Sequence, residues 1–174
     1  MKVISVLSVI MLILGISCTT KVNAEHGPVI SKKYTNGEIN KMIQSHETNY
    51  SSDVRPDESV NNKFKSDFPQ AKDIDWEIAA DIYQVEFEIG FVDYEAYYDR
   101  SGELIKYSFE CKRDALPALV INSVIAKYPD YDFEDMKKII SGSVETYKIE
   151  LEKKNIDVTL LLSADGTILS EWFD

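Results

Sequence analysis

Histidine is almost missing from this chain. His26 and His46 are the only two in 174 residues, and both lie in a polar N-terminal stretch. From residue 57 onward there is none, which removes Ser/His/Asp and Cys/His catalysis and imidazole zinc sites from the part able to form a core. Cysteine is nearly as scarce. Cys18 falls in an export leader, so Cys111 has no internal partner and the fold must rest on its core rather than on a disulfide. With no histidine to activate it, Cys111 reads as a buried or linker thiol, not a nucleophile. The seven glycines are scattered and form no phosphate-cradling loop. Basic charge is also short: 19 Lys and Arg stand against 30 Asp and Glu, a net of −11. Phosphate backbones repel such a surface, so nucleic acid is excluded as an expected partner.

Long hydrophobic runs are limited to one. Lys2 is followed by Val3 to Ile16, broken only by Ser5, Ser8 and Gly15. This has the length of a signal-peptide core; the alternative, an N-terminal membrane anchor, calls for a longer apolar stretch. Val22-Asn23-Ala24 predicts cleavage after Ala24. Cys18 offers a second route, as a lipid-carrying cysteine in a lipobox-like setting, although Gly15 stands where leucine is usual. Both routes predict export. The protein is then periplasmic or secreted, or an outer-envelope lipoprotein that meets the membrane only through Cys18. Loss of residues 1–24 removes Lys2 and Lys21 and no acid, leaving 17 basic against 30 acidic residues, a net of −13. Residues 25–56 are polar and carry few apolar side chains, so they read as a flexible leader or tether. One short helix fits at Glu38 to His46, where Ile39, Met42 and Ile43 share a side.

After Pro56 the texture changes. Val60, Phe64 and Phe68 recur at helical spacing behind Asp57 and Glu58, and Pro69 stops the helix. Two alternating runs follow: Ile74, Trp76 and Ile78, then Tyr83, Val85, Phe87 and Ile89. They predict half-buried strands. A third strand runs from Val92 to Tyr98, a turn spans Asp99 to Gly102, and a fourth strand runs from Leu104 to Phe109. Then the pattern repeats. Asp114 is a candidate cap, Pro117 opens a helix with Leu116, Val120 and Val124 on one face, and Tyr128-Pro129 ends it as Phe68-Pro69 ended the first.

From Tyr83 to Glu110 the chain matches itself at an offset of 64 residues without a gap. Tyr83, Glu86, Glu88, Asp93, Gly102 and Phe109 meet Tyr147, Glu150, Glu152, Asp157, Gly166 and Phe173. The helix ends match at an offset of 60, which places about four inserted residues between helix and sheet in the second copy. Of the run Asp99-Arg100-Ser101-Gly102 only the glycine persists, opposite Ser163-Ala164-Asp165-Gly166. D-R-S-G therefore reads as a turn needing one positive φ, not as a site. The fold expected is α+β: two tandem α-β-β-β-β repeats, 57–112 and 113–174, sharing one antiparallel sheet with helices packed on one face.

The acid runs give no strong metal signal. Asp130, Asp132 and Glu134 have the spacing that opens a calcium loop, but Asp135 stands where glycine is needed and Ser141 where a bidentate glutamate is needed. They read as a capped, solvated turn after the second helix. Glu86, Glu88, Glu150 and Glu152 alternate along strands as on a solvated sheet face. No metal, cofactor or catalytic residue is expected.

Strand alternation assigns Trp76, Tyr83, Val85, Phe87, Tyr94, Tyr98, Ile105 and Phe109, with their second-copy counterparts from Tyr147 to Phe173, to the helix-covered side. The other side then carries Glu86, Glu88, Asp93, Glu95, Glu150, Glu152, Asp157 and Thr159 among Tyr97, Leu104, Leu161, Ile168 and Trp172. Aromatic and aliphatic residues set among acids resemble an interface patch. Packing against the leader is the alternative. The partner-binding candidates are Tyr97, Trp172, Leu104, Leu161, Ile168, Glu86, Glu95 and Glu150.

A helix closing on Phe68-Pro69, then Trp76, then Tyr83-Gln84-Val85-Glu86-Phe87, then Tyr97-Tyr98-Asp99 with Gly102 and Leu104, resembles the PepSY-like, beta-lactamase-inhibitor-protein-like domains of exported Bacteroidetes proteins. The second copy keeps Tyr128-Pro129, Tyr147 to Leu151 and Gly166 but lacks the tryptophan. The resemblance implies two α/β repeats on one antiparallel sheet, no enzyme activity and a role in binding or inhibiting a protein. No catalytic residue carries over. The alternative function is a small-ligand or cation-binding sensor using the acidic face.

Overall fold

The computed structural model describes residues 28–35, 37–39, 41–42, 54–79, 81–154 and 156–173. The signal-peptide, cleavage and Cys18 expectations lie outside these residues, as does the end of the leader helix.

Helix α1 (Glu58–Asp67) follows Pro56 and Asp57 and closes where the Phe68 N–H donates to the Phe64 carbonyl. Helix α2 (Ala118–Lys127) closes in the same way, Tyr128 N–H to Val124 O. The two helices match at the expected offset of 60. Asp114, expected as the second cap, instead sits in a 3-10 turn (Arg113–Ala115), and Pro117 takes the cap position.

The strands are β1 (Lys72–Ala79), β2 (Ile82–Ile89), β3 (Val92–Asp99), β4 (Leu104–Glu110), β5 (Asp132–Ser141), β6 (Val144–Lys153), β7 (Ile156–Ser163) and β8 (Ile168–Phe173). They form one eight-stranded sheet in sequence order, antiparallel at every pairing. The repeats join where β4 pairs with β5.

Each helix buries its apolar stripe on its own repeat. Val60, Phe64 and Phe68 of the first pack on Trp76, Val85, Phe87, Tyr98 and Leu104. Phe64 sits at the centre, with ring centroids 5.2 Å from Trp76 and 5.0 Å from Phe87, both edge-on. In the second repeat Val120 and Val124 pack on Tyr147, Ile149, Leu151, Val158, Leu160 and Leu162. Met136 occupies the place of the missing tryptophan. It pairs with Ile149 as Trp76 pairs with Val85, and its N–H donates to Asp135 Oδ1 as the Trp76 N–H donates to Asp75 Oδ1.

Three expectations change. The inserted residues do not lie between helix and sheet. β5 and β6 are each ten residues long against eight in β1 and β2, so the insertion lengthens their hairpin. Asp132 and Glu134, read as a solvated turn, run inside β5. The third change concerns faces. Between Tyr97 and Tyr98 the register with β4 shifts by one, and between Leu161 and Leu162 it shifts again in β8. A bulge of this kind inserts one residue and reverses the alternation before it. Leu104 and Ile168, expected on the open side, therefore face the helices. Ile105, expected in the helix core, faces away from it with Tyr97, and its counterpart Leu169 is exposed.

The described part of the leader is packed, not free. Ile30 joins the core under α1. Ser31 N–H donates to the Leu104 carbonyl at 2.7 Å. The chain then passes the β3–β4 turn, and Ile39, Tyr34 and Met42 settle on Ile82, Tyr97 and Ile105 on the opposite face. These residues form an arm strapped around one end of the first repeat.

Candidate functional site

The face turned away from α1 is built in rows by direct strand pairing. One row runs Asp75, Glu86, Glu95, Ser108 and Ile139. The next runs Glu77, Gln84, Tyr97, Lys106 and Ser141. Paired residues in such a ladder share a side, so strand alternation gathers the acids. They line an open depression of about 440 Å³ whose wall holds Asp73, Asp75, Glu86, Glu88, Asp93, Glu95 and Glu110, with Lys137 at its margin. Partial burial and the charges of Glu86, Asp75 and Glu95 push the Glu77 carboxyl above its ordinary value. Glu95 is held by three donors: Gln84 Nε2 at 2.7 Å, the Tyr97 hydroxyl at 2.6 Å and the Ser108 hydroxyl at 3.2 Å. Among the described residues no three His, Cys, Asp or Glu side chains converge to hold a metal ion. No described helix is long and apolar enough to cross a membrane.

The eight candidates separate into four groups. Glu86 and Glu95 line the depression. Tyr97 lies on this face but is buried beneath the arm. Leu104 and Ile168 belong to the helix side, as described above. Leu161, Glu150 and Trp172 share the second-repeat part of the face. Leu161 pairs with Lys148, Thr159 pairs with both Glu150 and Trp172, and Lys148 Nζ lies 2.6 Å from Glu150. Trp172 is 39% exposed and Leu169 52% exposed. Nothing among the described residues covers them as the arm covers Tyr97 and Ile105.

Sequence reasoning passed over Asp99. Its carboxylate is buried at the end of β3 and divides its two oxygens between two tasks. Oδ1 accepts the Ser101 N–H at 2.9 Å, the Ser101 hydroxyl at 2.6 Å and the Glu103 N–H at 3.0 Å, which closes the turn. Oδ2 accepts Lys33 Nζ at 3.0 Å and the Tyr34 hydroxyl at 2.8 Å, which ties down the arm. Burial by itself raises the carboxyl, and the bonds from Ser101, Glu103, Lys33 and Tyr34 outweigh it and hold the group at about 2. In the second repeat the same job falls to Asp165, two positions further on, with serine and aspartate exchanged. Asp165 Oδ1 accepts the Ser163 hydroxyl and the Thr167 N–H there. The signal was legible: serine and aspartate exchange places between the two turns, Asp99 with Ser101 against Ser163 with Asp165, so only the first turn sets a carboxylate at the strand end.

The family model for PepSY-like, beta-lactamase-inhibitor-like domains matches twice, over residues 34–106 and 107–170. The first match includes part of the arm with the first repeat. Among solved structures, a DUF2874 family protein from Bacteroides ovatus superposes with a TM-score of 0.62 at 17% identity, covering 69% of this chain and 89% of its own. A BLIP-like protein from Bacteroides fragilis gives 0.60 at 18% identity, covering 69% and 87%. A protein from Bacteroides eggerthii, provisionally described as periplasmic, gives 0.64 at 19% identity, covering 69% and 90%. At these identities the likeness is one of fold. No curated protein matches by sequence. Two matches spanning most of the chain, one on each repeat, make it a member of the PepSY-like, beta-lactamase-inhibitor-like family.

Proposed function

We propose that this chain is a non-catalytic, exported binding module that presents the second-repeat half of its free sheet face to a protein partner. Both helices are read as lying on one side of the sheet. The support is a pairing row, Phe87, Tyr94, Phe109, Lys138, Tyr147 and Leu162, that runs without a break from the core under α1 to the core under α2. The opposite side is left for ligands. The observation that carries the proposal is the unequal covering of two equivalent surfaces. Tyr97 and Ile105 are buried by the arm, whereas Leu161, Leu169 and Trp172 have no such cover among the described residues. The exposed Trp172 indole and the half-buried Leu161, beside Glu150 and Lys148, have the make-up of an interface centre with a polar rim. Export is supported by the signal-peptide pattern, with cleavage after Ala24 favoured over lipidation at Cys18, and by the periplasmic description of one structural relative.

A photo-crosslinking side chain at position 172, compared with one at Leu119 on the exposed side of α2, tests the proposal in the native envelope. One protein adduct is expected at 172 and none at 119. Unlabelled protein competes for that adduct, and a Trp172→Ala, Leu161→Asp variant fails to compete. Equal adducts at both positions, or competition by the variant, overturn the proposal. The alternative of a cation-binding sensor has less support, because the carboxylates around the depression do not converge on a common point.

A further inference from the structure

We infer that the surface beneath the arm is a peptide-binding seat. Its ligand class is a cationic segment of a protein partner carrying a lysine-aromatic pair followed by aliphatic residues one helical turn apart. Residues 31–42 are its resident, exchangeable occupant. This seat is separate from the Trp172 surface, and the inference stands without that reading.

Charge complementarity is the first argument. The chain as a whole carries −11, yet residues 31–42 hold Lys32, Lys33 and Lys41 against Glu38 alone. The chain sets Lys33 of this segment on Asp99 and lays its apolar residues on Ile82, Tyr97 and Ile105, one pairing row from Glu86 and Glu95. Opposite charges on the two surfaces favour this pairing over others and speed its formation.

The second argument is the division of labour at Asp99. A buried carboxylate with one oxygen reserved for donors from another segment is a recognition element for a cation and a hydroxyl. Lys33 and Tyr34 supply both. The arm enters by backbone pairing, Ser31 N–H to Leu104 O, with the Ser31 hydroxyl donating to Glu103 at 2.5 Å. It then fills an apolar floor of Ile82, Tyr97 and Ile105 with Ile39 and Met42. Polar entry, ionic anchor and aliphatic plug are the parts of a peptide site.

The internal repeat supplies the control. Position 163 is serine where the first repeat has Asp99, and the described neighbours pressing on the second turn are Leu119 and Ser123 of α2. Both turns close with the same backbone bonds, Gly102 N–H to Asp99 O and Gly166 N–H to Ser163 O, each at 2.9 Å. Asp99 Oδ1 does for the first turn what Asp165 Oδ1 does for the second, so it is Asp99 Oδ2, bonded to Lys33 and Tyr34, that is left over from that task and matched to the arm. Because the arm occupies the seat in cis, a partner segment binds in proportion to how often the arm is off.

The test uses the mature chain, residues 25–174, and a fluorescent peptide of residues 28–42 as probe. Ile39→Asp, placed in the arm and not in the seat, frees the site. The peptide is expected to bind this variant at least tenfold more tightly than wild type. Asp99→Asn added to that background is expected to cost at least tenfold, and a probe with Lys33→Glu and Tyr34→Phe is expected to bind as weakly. If Ile39→Asp folds poorly by circular dichroism, Lys33→Ala with Tyr34→Phe in the chain loosens the latch from the surface and is read in the same way. Equal binding to wild type and the arm-freed chain, or binding indifferent to Asp99→Asn, overturns the inference. The adduct at position 172 reports on the other surface, so failure of one reading does not imitate failure of the other.

Discussion

Lys33 reaches across 66 residues of sequence to lie 3.0 Å from Asp99, and this ion pair joins the leader to the β3–β4 turn. The lysine is half exposed while the aspartate is buried, so the pair is held from the carboxylate side. The turn donates to Asp99 Oδ1 and the arm to Oδ2, so the aspartate accepts on both oxygens. That geometry makes arm docking depend on acid in a defined way.

The Asp99 carboxyl is held at about 2, below the ordinary value of 3.8 that it has in an unfolded chain. A depressed carboxyl stabilises the folded state fully above its unfolded value, and that contribution is lost as pH falls through the folded value. The arm should stay docked from neutral pH to about pH 4 and loosen between about pH 4 and pH 2. Ser101 and Glu103 hold part of that depression whether or not the arm is docked, so only the share from Lys33 and Tyr34 links docking to pH, and it is weakened because Lys33 faces water. Amide exchange at Ser31, whose N–H bonds to Leu104, reads the opening. Asp99→Asn should open the arm at neutral pH and flatten the acid dependence; an unchanged acid profile in that variant counts against the latch.

The residues that betray the repeat also show how much of this molecule was legible beforehand. Tyr83, Val85 and Phe87 against Tyr147, Ile149 and Leu151 are a period-two pattern with one face buried, and register in such strands is strongly specified. Helix ends at Phe68-Pro69 and Tyr128-Pro129 were equally plain, because proline leaves the chain little choice. Leu104 and Ile105 were not legible. Both are apolar, and a single-residue bulge decides which one faces the helix; nothing in their local spacing reveals it. The arm escaped for another reason. Ile30, Ile39 and Met42 are too few to look like a core element, and their burial comes from a surface that only the folded sheet provides.

Gly102 and Gly166 occupy equivalent turns with φ of 85° and 86°, but they differ in what presses on them. A Cβ at Gly102 would lie 3.3 Å from the Ser59 carbonyl oxygen, whereas one at Gly166 would lie 2.5 Å from the Leu119 carbonyl oxygen. Alanine at Gly102 should cost about 1–2 kcal/mol from the backbone conformation. Alanine at Gly166 should cost a further 1–3 kcal/mol or so, because α2 must shift. Urea unfolding of the two variants checks the order; equal losses would mean that α2 sits less closely on its turn.

Cys111 sits half-buried beside the first residues of the second repeat, and its N–H donates to the Met136 carbonyl. Burial pushes its thiol above the ordinary value, more than Lys138 pulls it down. The thiolate fraction at neutral pH is therefore smaller than in a free cysteine, and the thiolate is the reactive form. Iodoacetamide should modify Cys111 more slowly in native protein than in urea-unfolded protein at pH 7. A native rate equal to or above the unfolded rate would mark it as an activated thiol.

The bulge itself is open to a direct test through the four residues it sorts. Leu104 is buried under α1 while its neighbour Ile105 is buried under the arm; in the second repeat Ile168 faces α2 and Leu169 is 52% exposed. Leu104→Ala removes a side chain from a packed core and should cost about 2–5 kcal/mol of global stability. Ile105→Ala should instead loosen the arm: faster exchange at Ser31, with most of the unfolding midpoint retained. Leu169→Ala should change stability by no more than about 0.5 kcal/mol, since the side chain meets water already. Uninterrupted alternation would give the opposite order, with Ile105 and Leu169 the costly positions and Leu104 the mild one. Urea midpoints for the three alanine variants, read beside Ser31 exchange, separate the two phases without reference to any ligand.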